Sequence, residues 1–446
     1  MTFPTGDGLQ DYLARMRQKH GVVGASFAVC RNGAVHVAAD GITNLDTNIK
    51  VTPDTVFQIG SIGKLFTATQ IMQLVDQGKL SLDTHVIDVL PEFAIADRDA
   101  TKSITIRQLL THTSGMEGDF FPDDDVAGPS AQSYVKKMRL LPSFFAPGEG
   151  PMTYCNSGYV VLGRIVEVLA GVPWPIAVME QVCQPLGLSS AFCDPAQGLR
   201  FSCAMGHMGN PPAPAPVPYL MQSAAAAGTV LSMSASDLIK FGGAMSSAGS
   251  PLVGDEGVAA MQALETTLPP YTRKGMTHWG LGWMIGHHAD HRVIGHDGGT
   301  LGQYAYMRIY PDHGVSFVLL TNSPSADLFE EIERAILLDV LGVNSHGDVG
   351  QGDQVPSSQI FDDFVGTYDS LASRIEVTRN PDGLHVTVHD KAFGAPDVNA
   401  ALLPHAADIF TVQSDHPAMR NNAVFLRNDS GDIAFLRMGV RMFALR

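Results

Sequence analysis

The sequence has little charge and no long apolar run, and these absences exclude several classes of protein. Only 17% of the 446 residues are charged, with 29 Lys and Arg against 45 Asp and Glu, while 45% are hydrophobic. Such a composition favours a large packed core over a disordered chain. The net charge of −16 disfavours a nucleic-acid binder, which needs a basic face to neutralise phosphates. No run of 18 apolar residues occurs, so we expect no membrane span.

The N-terminus and the cysteines also lack familiar signals. Residues 1–21 have neither the basic start nor the continuous apolar stretch of a secretory signal, so we expect a cytoplasmic protein. The cysteines are five in number, an odd count, and they follow no metal-ligand spacing. We expect free thiols, as a reducing compartment allows, with a Cys183–Cys193 or Cys193–Cys203 bridge as the alternative.

The apolar spacing predicts one large α and β domain followed by a small all-β domain. Helical and alternating patterns share the first part of the chain, whereas short alternating segments separated by turns fill the end. We place the catalytic domain at 1–345, a Gly, Ser and Asp-rich linker at 346–358, and the all-β domain at 359–446. The predicted elements of the first domain are helices at 8–20, from Ser61, at 104–112, 157–170 and 326–341, and strands within 22–39 and from Arg292 to 323.

Ser61 and Lys64 form the first chemical motif, at the start of a predicted helix. Residues three apart lie on one helix face, so the hydroxyl and the amine stand side by side. The helix N-terminus favours negative charge that develops there, and a desolvated amine can accept the hydroxyl proton. This S-x-x-K pattern is used by serine enzymes. Alone it is weak, because a capping Ser and a solvated Lys produce the same four letters by chance.

Two further motifs give the first one more weight. Tyr154 and Asn156 follow a Pro-Gly turn and immediately precede a helix, which presents a phenol and a carboxamide two residues apart. His296 is followed by Asp297, Gly298 and Gly299 at the end of an apolar strand segment. The glycines there allow a substrate backbone to approach closely.

The order S-x-x-K, Y-x-N, H-x-G, with these intervals, resembles the class C β-lactamase and penicillin-binding-protein superfamily of serine hydrolases. Supporting stretches such as ITIRQLLTHTSGM, PGEGPMTYCNSGYVVLGRIVEVLAG and HDGGTLGQYAYMRIYPDHGVSFVLLTNS extend the resemblance over roughly residues 20–340. It implies an α+β fold of the β-lactamase/transpeptidase type, with an antiparallel sheet flanked by helices and a helical subdomain. The C-terminal segment resembles the small all-β, lipocalin-like module carried by several relatives.

The resemblance also implies roles for the residues of the first two motifs. Ser61 would be the acylated nucleophile and Lys64 its base. Tyr154 would act as base or acid toward the incoming or leaving group. Asn156 would hydrogen-bond Lys64 or the substrate amide.

For the third motif, the resemblance implies a hydrogen-bond donor and an oxyanion hole. His296 would donate near the substrate carboxylate or acyl oxygen, at the place where many relatives carry the Lys of K-T-G. The backbone N–H groups of Ser61 and Gly299 would form the oxyanion hole, with Gly298 and Gly299 contacting substrate. Because His is largely neutral at pH 7, recognition of a penicillin carboxylate is weakened, and efficient β-lactam hydrolysis is disfavoured.

Together these features predict a serine hydrolase that forms an acyl-Ser61 intermediate with small amide, peptide or ester substrates, D-residue peptides included. One alternative is an acyltransferase or thioesterase that releases or macrocyclises nonribosomal peptides, with a carrier protein as partner. The other is a catalytically silent penicillin-recognising or scaffold protein. We expect neither a metal nor an organic cofactor, and no nucleic-acid or membrane partner.

Rival motifs are weaker. The sequence around Gly63 fails the phosphate-loop pattern at two positions, since Gln58 is not Gly and Leu65 is not Ser or Thr. His112 is expected to be a structural histidine associated with a helix. Asp297 either orients His296 or is a surface carboxylate. A polar turn, rather than a metal site, is the prediction for the group His287, His288, Asp290 and His291.

Overall fold

The computed structural model describes residues 3–122, 130–246, 249–268, 275–343, 358–392, 394, 396–414 and 422–446. Within these ranges the chain forms a mixed α and β domain followed by a closed β-barrel. Both parts of the predicted fold are therefore confirmed. The predicted linker, 346–358, lies outside the described residues apart from Ser358, so the domain boundaries stay a prediction.

The α-helices of the described residues all precede the barrel. They are α1 Asp7–Lys19, α2 Gly63–Asp76, α3 Val86–Val89, α4 Arg98–Ser103, α5 Ile106–Leu110, α6 Ala131–Lys137, α7 Asn156–Ala170, α8 Trp174–Val178, α9 Ala235–Ala244, α10 Asp255–Met261 and α11 Ala326–Leu341.

The strands of this domain form one large sheet and two small ladders. In chain order they are β1 Gly24–Arg31, β2 Ala34–Gly41, β3 Phe57–Gln58, β4 His207–Met208, β5 Ala213–Pro214, β6 Ser232–Met233, β7 Thr266–Thr267, β8 Met276–Trp279, β9 Met284–His288, β10 His291–Gly299, β11 Tyr304–Tyr310 and β12 Val315–Thr321.

The large sheet is antiparallel and separates two apolar layers. Its strand order is β2-β1-β12-β11-β10-β9-β8-β7. Successive side chains of a strand point to opposite faces, so Phe27 and Val29 pack with α1 and α11. Ala28 faces the other layer, which contains α2 and α9. In that layer Phe66 stacks on Phe241 with ring centroids 4.1 Å apart. This packing fixes α2, and with it Lys64, against the sheet.

Local signals set the ends of the helices near the second motif. Thr105 and Gln108 form a capping box at the start of α5. Cys155 precedes α7, and its Sγ accepts the Gly158 N–H at 3.2 Å. Gly171 ends α7 with φ 75°, a left-handed conformation that glycine adopts without strain. Tyr154 and Cys155 therefore lie in extended chain directly before the helix, and Asn156 is its first residue, one position earlier than the sequence predicts.

The barrel closes through pairing of its first and last strands. Its strands are β13 Gly366–Asp369, β14 Ser373–Asn380, β15 Gly383–Asp390, β16 Val398–Ala406, β17 Ile409–Gln413, β18 Asn422–Arg427, β19 Ile433–Met438 and β20 Arg441–Leu445. Tyr368 of β13 pairs with Leu445 of β20. Sequence patterns indicate five of these strands and miss β16, β17 and β20. In β16 a register shift at Pro404 interrupts the alternation on which such a prediction depends.

The barrel docks on the catalytic domain through β19, β20 and the turn between them. Arg437 donates to the Met152 carbonyl at 2.9 Å, and the Tyr154 N–H donates to the Val440 carbonyl at 3.1 Å. The Phe435 ring lies 4.9 Å from another ring in the catalytic domain, that of Phe145. These contacts flank the Y-x-N motif, so the barrel borders the region that carries the predicted chemistry.

Among the described residues, no single helix is long and apolar enough to cross a membrane. Two helical segments, Asn156–Ala170 and Trp174–Cys183, reach the length and hydropathy of a membrane span only when taken together, and they are bent by 80° relative to each other.

Candidate active site

Ser61 and Lys64 lie side by side, as the motif predicts. Ser61 is the middle residue of a 3₁₀ turn, Gly60–Ile62, that leads directly into α2. The Lys64 Nζ lies 3.1 Å from Ser61 Oγ and donates to the Ala227 carbonyl at 2.6 Å. Lys64 is fully buried, and burial lowers its pKa well below the usual value, with the charge of Arg441 as the next cause. A neutral amine in this position can take the Ser61 proton.

The third motif packs against the backbone of the Ser61 turn. Gly60 has φ +53°, and a Cβ on it would lie 2.5 Å from the Gly299 nitrogen. A Cβ on Gly298 would lie 3.1 Å from the Ser61 nitrogen. Only glycines allow this approach, which brings the Gly299 amide against the Gly60–Ser61 backbone at the mouth of the site. The oxyanion hole formed by the N–H groups of Ser61 and Gly299 stays a prediction.

Tyr154 stands between the nucleophile and the barrel. Its ring lies 4.9 Å from Lys64 Nζ. Burial raises the Tyr154 pKa far above the usual value, and the interaction of its hydroxyl with the neighbouring Ser61, which lowers the phenol pKa, only partly offsets that effect. The neutral phenol is therefore the resting form. It can donate a proton, or relay one, more readily than it can act as a preformed base.

Asn156 is held by a carboxylate that the sequence motifs do not include. Its Nδ2 donates to Asp119 Oδ1 at 2.6 Å, and the other Asp119 oxygen pairs with Arg441 of the barrel. The resemblance implies a bond from Asn156 to Lys64 or to substrate. In the structure Asn156 Nδ2 pairs with Asp119, and the Lys64 amine donates to Ser61 Oγ and to the Ala227 carbonyl. The bond from Asn156 to substrate stays a prediction.

His296 lies on β10 and is buried beside Tyr154 and Trp279. Burial, followed by the nearby Lys64 charge, lowers its pKa to about 3. Its Nδ1 lies 2.6 Å from the Asp297 carbonyl, so in the neutral ring the proton is assigned to Nδ1. The Nε2 atom then carries a lone pair and accepts, whereas the resemblance implies a donor.

Comparisons with known proteins agree with this geometry. The family described as Beta-lactamase matches residues 9–341. The chain belongs to the β-lactamase family. It is 38% identical over 347 residues to Penicillin-binding protein 4 of Amycolatopsis lactamdurans, which covers 75% of this chain and 90% of that protein. It is 31% identical over 220 residues to Esterase EstB of Burkholderia gladioli, which covers 46% of this chain and 55% of the esterase.

Solved structures match both domains. The crystal structure of SurE with D-Leu superposes with a TM-score of 0.76 at 28% sequence identity, and the match covers 99% of each chain. This solved structure is thus similar to the chain over both of its domains. This chain is a member of the serine hydrolase superfamily to which these relatives belong.

The carboxylate of Asp297, the middle residue of the third motif, forms an ion pair away from His296. It pairs with Arg308 at 2.6 Å, and Arg308 also lies 3.3 Å from Glu333 of α11. Asp297 therefore orients His296 through its backbone carbonyl rather than through its carboxylate. Of the two alternatives left open by the sequence, the surface carboxylate is therefore wrong, because the Asp297 carboxylate is held by the buried Arg308.

Several further residues complete the site, and sequence reasoning missed their roles. Asp119 and Arg441 are far apart in sequence and carry no motif. Ala227 acts through its carbonyl, which no side-chain pattern reveals. His112, expected to be only structural, contacts Tyr154 with ring centroids 4.4 Å apart. Trp279 contacts the Tyr154 ring, with centroids 5.9 Å apart, whereas Trp283 packs in the core against Phe241.

A cavity of about 200 Å³ lies between the two domains beside Tyr154. Catalytic-domain residues form one wall and barrel residues form the other. Glu117 lines it, and burial raises the pKa of this carboxyl to about 7. Among the described residues, no group of three or more His, Cys, Asp or Glu side chains could hold a metal ion. The five cysteines, all described, are free. The remaining lining residues are Gly118, Asp119, Phe144, Thr153, Tyr154, Ser370, Ser373, Arg441, Met442 and Phe443.

Proposed function

We propose that this protein cleaves small amide, peptide or ester substrates through an acyl ester on Ser61, with D-residue substrates included. The observation that carries the proposal is the fully buried Lys64 amine, 3.1 Å from Ser61 Oγ and with a lowered pKa. A cation at this place could not accept a proton, whereas a neutral amine can. The silent-scaffold alternative is disfavoured, because it gives no reason to bury an amine beside a hydroxyl.

The residues around Ser61 divide the acylation step between them. Ser61 Oγ attacks the substrate carbonyl carbon while its proton passes to Lys64 Nζ. The oxyanion accepts hydrogen bonds from the N–H groups of Ser61 and Gly299. When the tetrahedral species collapses, the bond to the leaving amine or alcohol breaks. Tyr154, which is neutral and neighbours Ser61, gives the leaving group its proton and regains one from Lys64.

Deacylation reverses the same proton path. Water attacks the acyl carbon, its proton passes toward Lys64 and Tyr154, and the Ser61 Oγ leaves with a proton as the acid is released. Each oxyanion-hole donor is worth on the order of 10²–10³ in rate in comparable enzymes.

The neutral His296 supports substrates that lack a recognised carboxylate. Its Nε2 lone pair accepts a hydrogen bond and so favours an N–H or O–H of the substrate. A carboxylate would meet repulsion from this lone pair instead of the fixed cation of a K-T-G motif. The solved relative with D-Leu supports the inclusion of D-residues in the proposed substrate class.

Acyl transfer to an amine is the second candidate, and the interdomain cavity favours it. The cavity lies beside Tyr154, the residue that would exchange protons with the leaving group or the incoming nucleophile. Water needs no such volume, whereas an amine with a side chain does. In this version the acyl-Ser61 ester is attacked by an amine, which in a peptidyl substrate could be its own N-terminus. A carrier protein would then deliver the acyl group.

A fluorophosphonate probe tests the nucleophile first. It should label the wild type and the control Ser430→Ala, an exposed position in a barrel turn, but not Ser61→Ala. Lys64→Ala should be labelled slowly, because its Ser61 hydroxyl then lacks a base. Equal labelling of the wild type and Ser61→Ala would refute the proposal.

Product analysis then separates the two candidates. The wild type is given 4-nitrophenyl acetate, D- and L-residue 4-nitroanilides, and a peptidyl thioester. Free acid from the ester or the D-anilides supports hydrolysis. Cyclic product from the thioester, or amide product when D-leucine amide is added, moves acyl transfer to first place. Labelling of Ser61 without turnover of any of these substrates would contradict both candidates.

A further inference from the structure

The extended segment Thr153–Cys155 has no helix or strand of its own to satisfy its backbone. α7 begins at Asn156, so the three N–H groups before it need acceptors elsewhere. His112 provides two of them: its carbonyl accepts from Thr153 at 2.9 Å, and its Nδ1 accepts from Cys155 at 3.0 Å. The N–H of Tyr154 itself goes to the barrel. His112 thus holds the chain on both sides of the catalytic tyrosine.

The His112 side chain also contacts the Tyr154 ring. The two ring centroids are 4.4 Å apart with an interplanar angle of 34°. Trp279 and Tyr159 close the remaining sides, with ring centroids 4.9 and 5.1 Å from the imidazole. The imidazole is fully buried, so Tyr154 rests against a ring that is itself held on several sides.

The backbone at His112 has an unusual conformation that makes both bonds possible. Its φ is 58°, in the left-handed region, where a residue other than glycine is strained. Histidine is one of the residue types found there more often than average. In this conformation its carbonyl and its ring both reach the Thr153–Cys155 segment. Strain of this kind persists only where surrounding contacts fix it.

The hydrogen bond to Cys155 assigns the protonation state of His112. An N–H donates to Nδ1, so that atom carries a lone pair and the neutral ring has its proton on Nε2. Burial and the nearby Lys64 and His296 charges lower the His112 pKa well below the usual value, which maintains the neutral form.

We propose that His112 is a positioning residue for Tyr154: its Nδ1 and its carbonyl grip Cys155 and Thr153, which keeps the Tyr154 hydroxyl against Ser61. The inference rests on the proposed function, because it needs Tyr154 to move protons during acylation. His112 acts through Tyr154 and touches no reacting atom. Misplacing a catalytic group by about 1 Å can cost on the order of 100-fold in rate.

Two substitutions separate the acceptor from the bulk of the ring. His112→Phe keeps a ring but removes the Nδ1 acceptor. His112→Asn places an oxygen at the same distance along the side chain and tolerates the left-handed backbone. With 4-nitrophenyl acetate, His112→Phe should lower kcat by about 10- to 100-fold with KM within about threefold, and His112→Asn should retain most of kcat. His36→Asn, in β2, serves as the control.

A double-mutant cycle tests whether the effect passes through Tyr154. In a Tyr154→Phe background, His112→Phe should lower kcat by less than about threefold, because the hydroxyl that it positions is already absent. Thermal unfolding checks that each variant folds. If His112→Phe does not, His112→Gly replaces it, since glycine accepts the backbone conformation and lacks the acceptor.

The outcomes distinguish this inference from the proposed function. Three results would each overturn the role of His112. The first is a wild-type kcat in His112→Phe or His112→Gly, and the second is a loss of kcat in the double variant with Tyr154→Phe that equals the product of the two single losses. The third is a kcat of His112→Asn no higher than that of His112→Gly. Absence of fluorophosphonate labelling at Ser61 in the wild type would instead overturn the proposed function.

Discussion

The guanidinium of Arg441, on the last barrel strand, forms an ion pair with the carboxylate of Asp119 in the catalytic domain. Asp119 also accepts from Asn156, so one carboxylate joins the second motif to the barrel. The Arg441 guanidinium carbon lies 4.7 Å from the centroid of the Tyr154 ring. The barrel therefore supplies part of the wall of the active site and part of its charge.

Removing Arg441 should weaken catalysis. Arg441→Ala leaves Asp119, whose side chain is only 16% exposed, without its counter-charge, so the carboxylate that binds Asn156 is no longer held from the barrel side. We expect kcat/KM to fall by about 10- to 100-fold, with partial recovery in Arg441→Lys, which keeps the charge but not the planar fork. Arg427→Ala removes another barrel ion pair, that with Asp408, and should leave kcat/KM unchanged.

The same variant should shift the pH profile. The Arg441 charge is one cause of the lowered Lys64 pKa, so its removal raises that pKa. Lys64 must be neutral to accept a proton, and activity is lost as pH falls through its pKa. The acid limb of kcat/KM should therefore move to higher pH in Arg441→Ala. The profile is measured with 4-nitrophenyl acetate over pH 5–9. If the acid limb does not move, the Arg441 charge does not affect the pKa of Lys64.

Glu117 should make stability depend on pH near neutrality. Its carboxyl accepts the Leu371 N–H of the barrel, and burial raises its pKa from 4.5 to about 7. The folded state then binds this proton more tightly than the unfolded state, so stability falls as pH rises from about 4.5 to about 7. The groups that act on it are Lys391, Asp119 and Asp369.

Denaturation in urea at several pH values checks this expectation. Glu117→Gln mimics the protonated carboxyl, so it should be more stable than the wild type at pH 8 by about 1–3 kcal/mol and equal to it at pH 4.5. Asp46→Asn, at an exposed position, controls for the loss of one carboxylate. A parallel pH dependence in the wild type and Glu117→Gln would assign the effect to other groups.

Gly60 should not tolerate substitution by alanine, whereas Gly243 should tolerate it. Gly60→Ala introduces a Cβ about 2.5 Å from the Gly299 nitrogen at a left-handed φ of +53°. The displaced oxyanion donors should cost at least about 100-fold in kcat. Gly243, in α9, has nothing within 4 Å of its Cβ position, so Gly243→Ala should stabilise the fold by about 0.5–1 kcal/mol with unchanged kcat.

The sequence was sufficient for the parts of the site whose geometry is local. Ser61 and Lys64 are three residues apart at a helix start, so helix geometry alone places them together. Tyr154 and Asn156 lie beside the N-terminus of α7, where the pattern change from loop to helix is visible. The order of the three motifs carried the resemblance, which implied the fold type of both domains.

The remaining contacts depend on long-range packing, which leaves no local pattern. Asp119 and Arg441 meet across 322 residues. The carbonyl of Ala227 that holds Lys64 belongs to the backbone and has no residue signature. The acceptor role of His296 follows from the direction of one neighbouring carbonyl. In the barrel, β16 escaped detection for a local reason, the register shift at Pro404.

The pairing of β13 with β20 sets an order of events during protein synthesis. Ser61 and Tyr154 emerge from the ribosome early, while Arg441 and the Val440 carbonyl that holds the Tyr154 amide follow hundreds of residues later. Until β20 closes the barrel, the nascent catalytic domain has its nucleophile but not the wall beside its tyrosine. The surroundings of Tyr154 are thus completed only by residues at the very end of the chain.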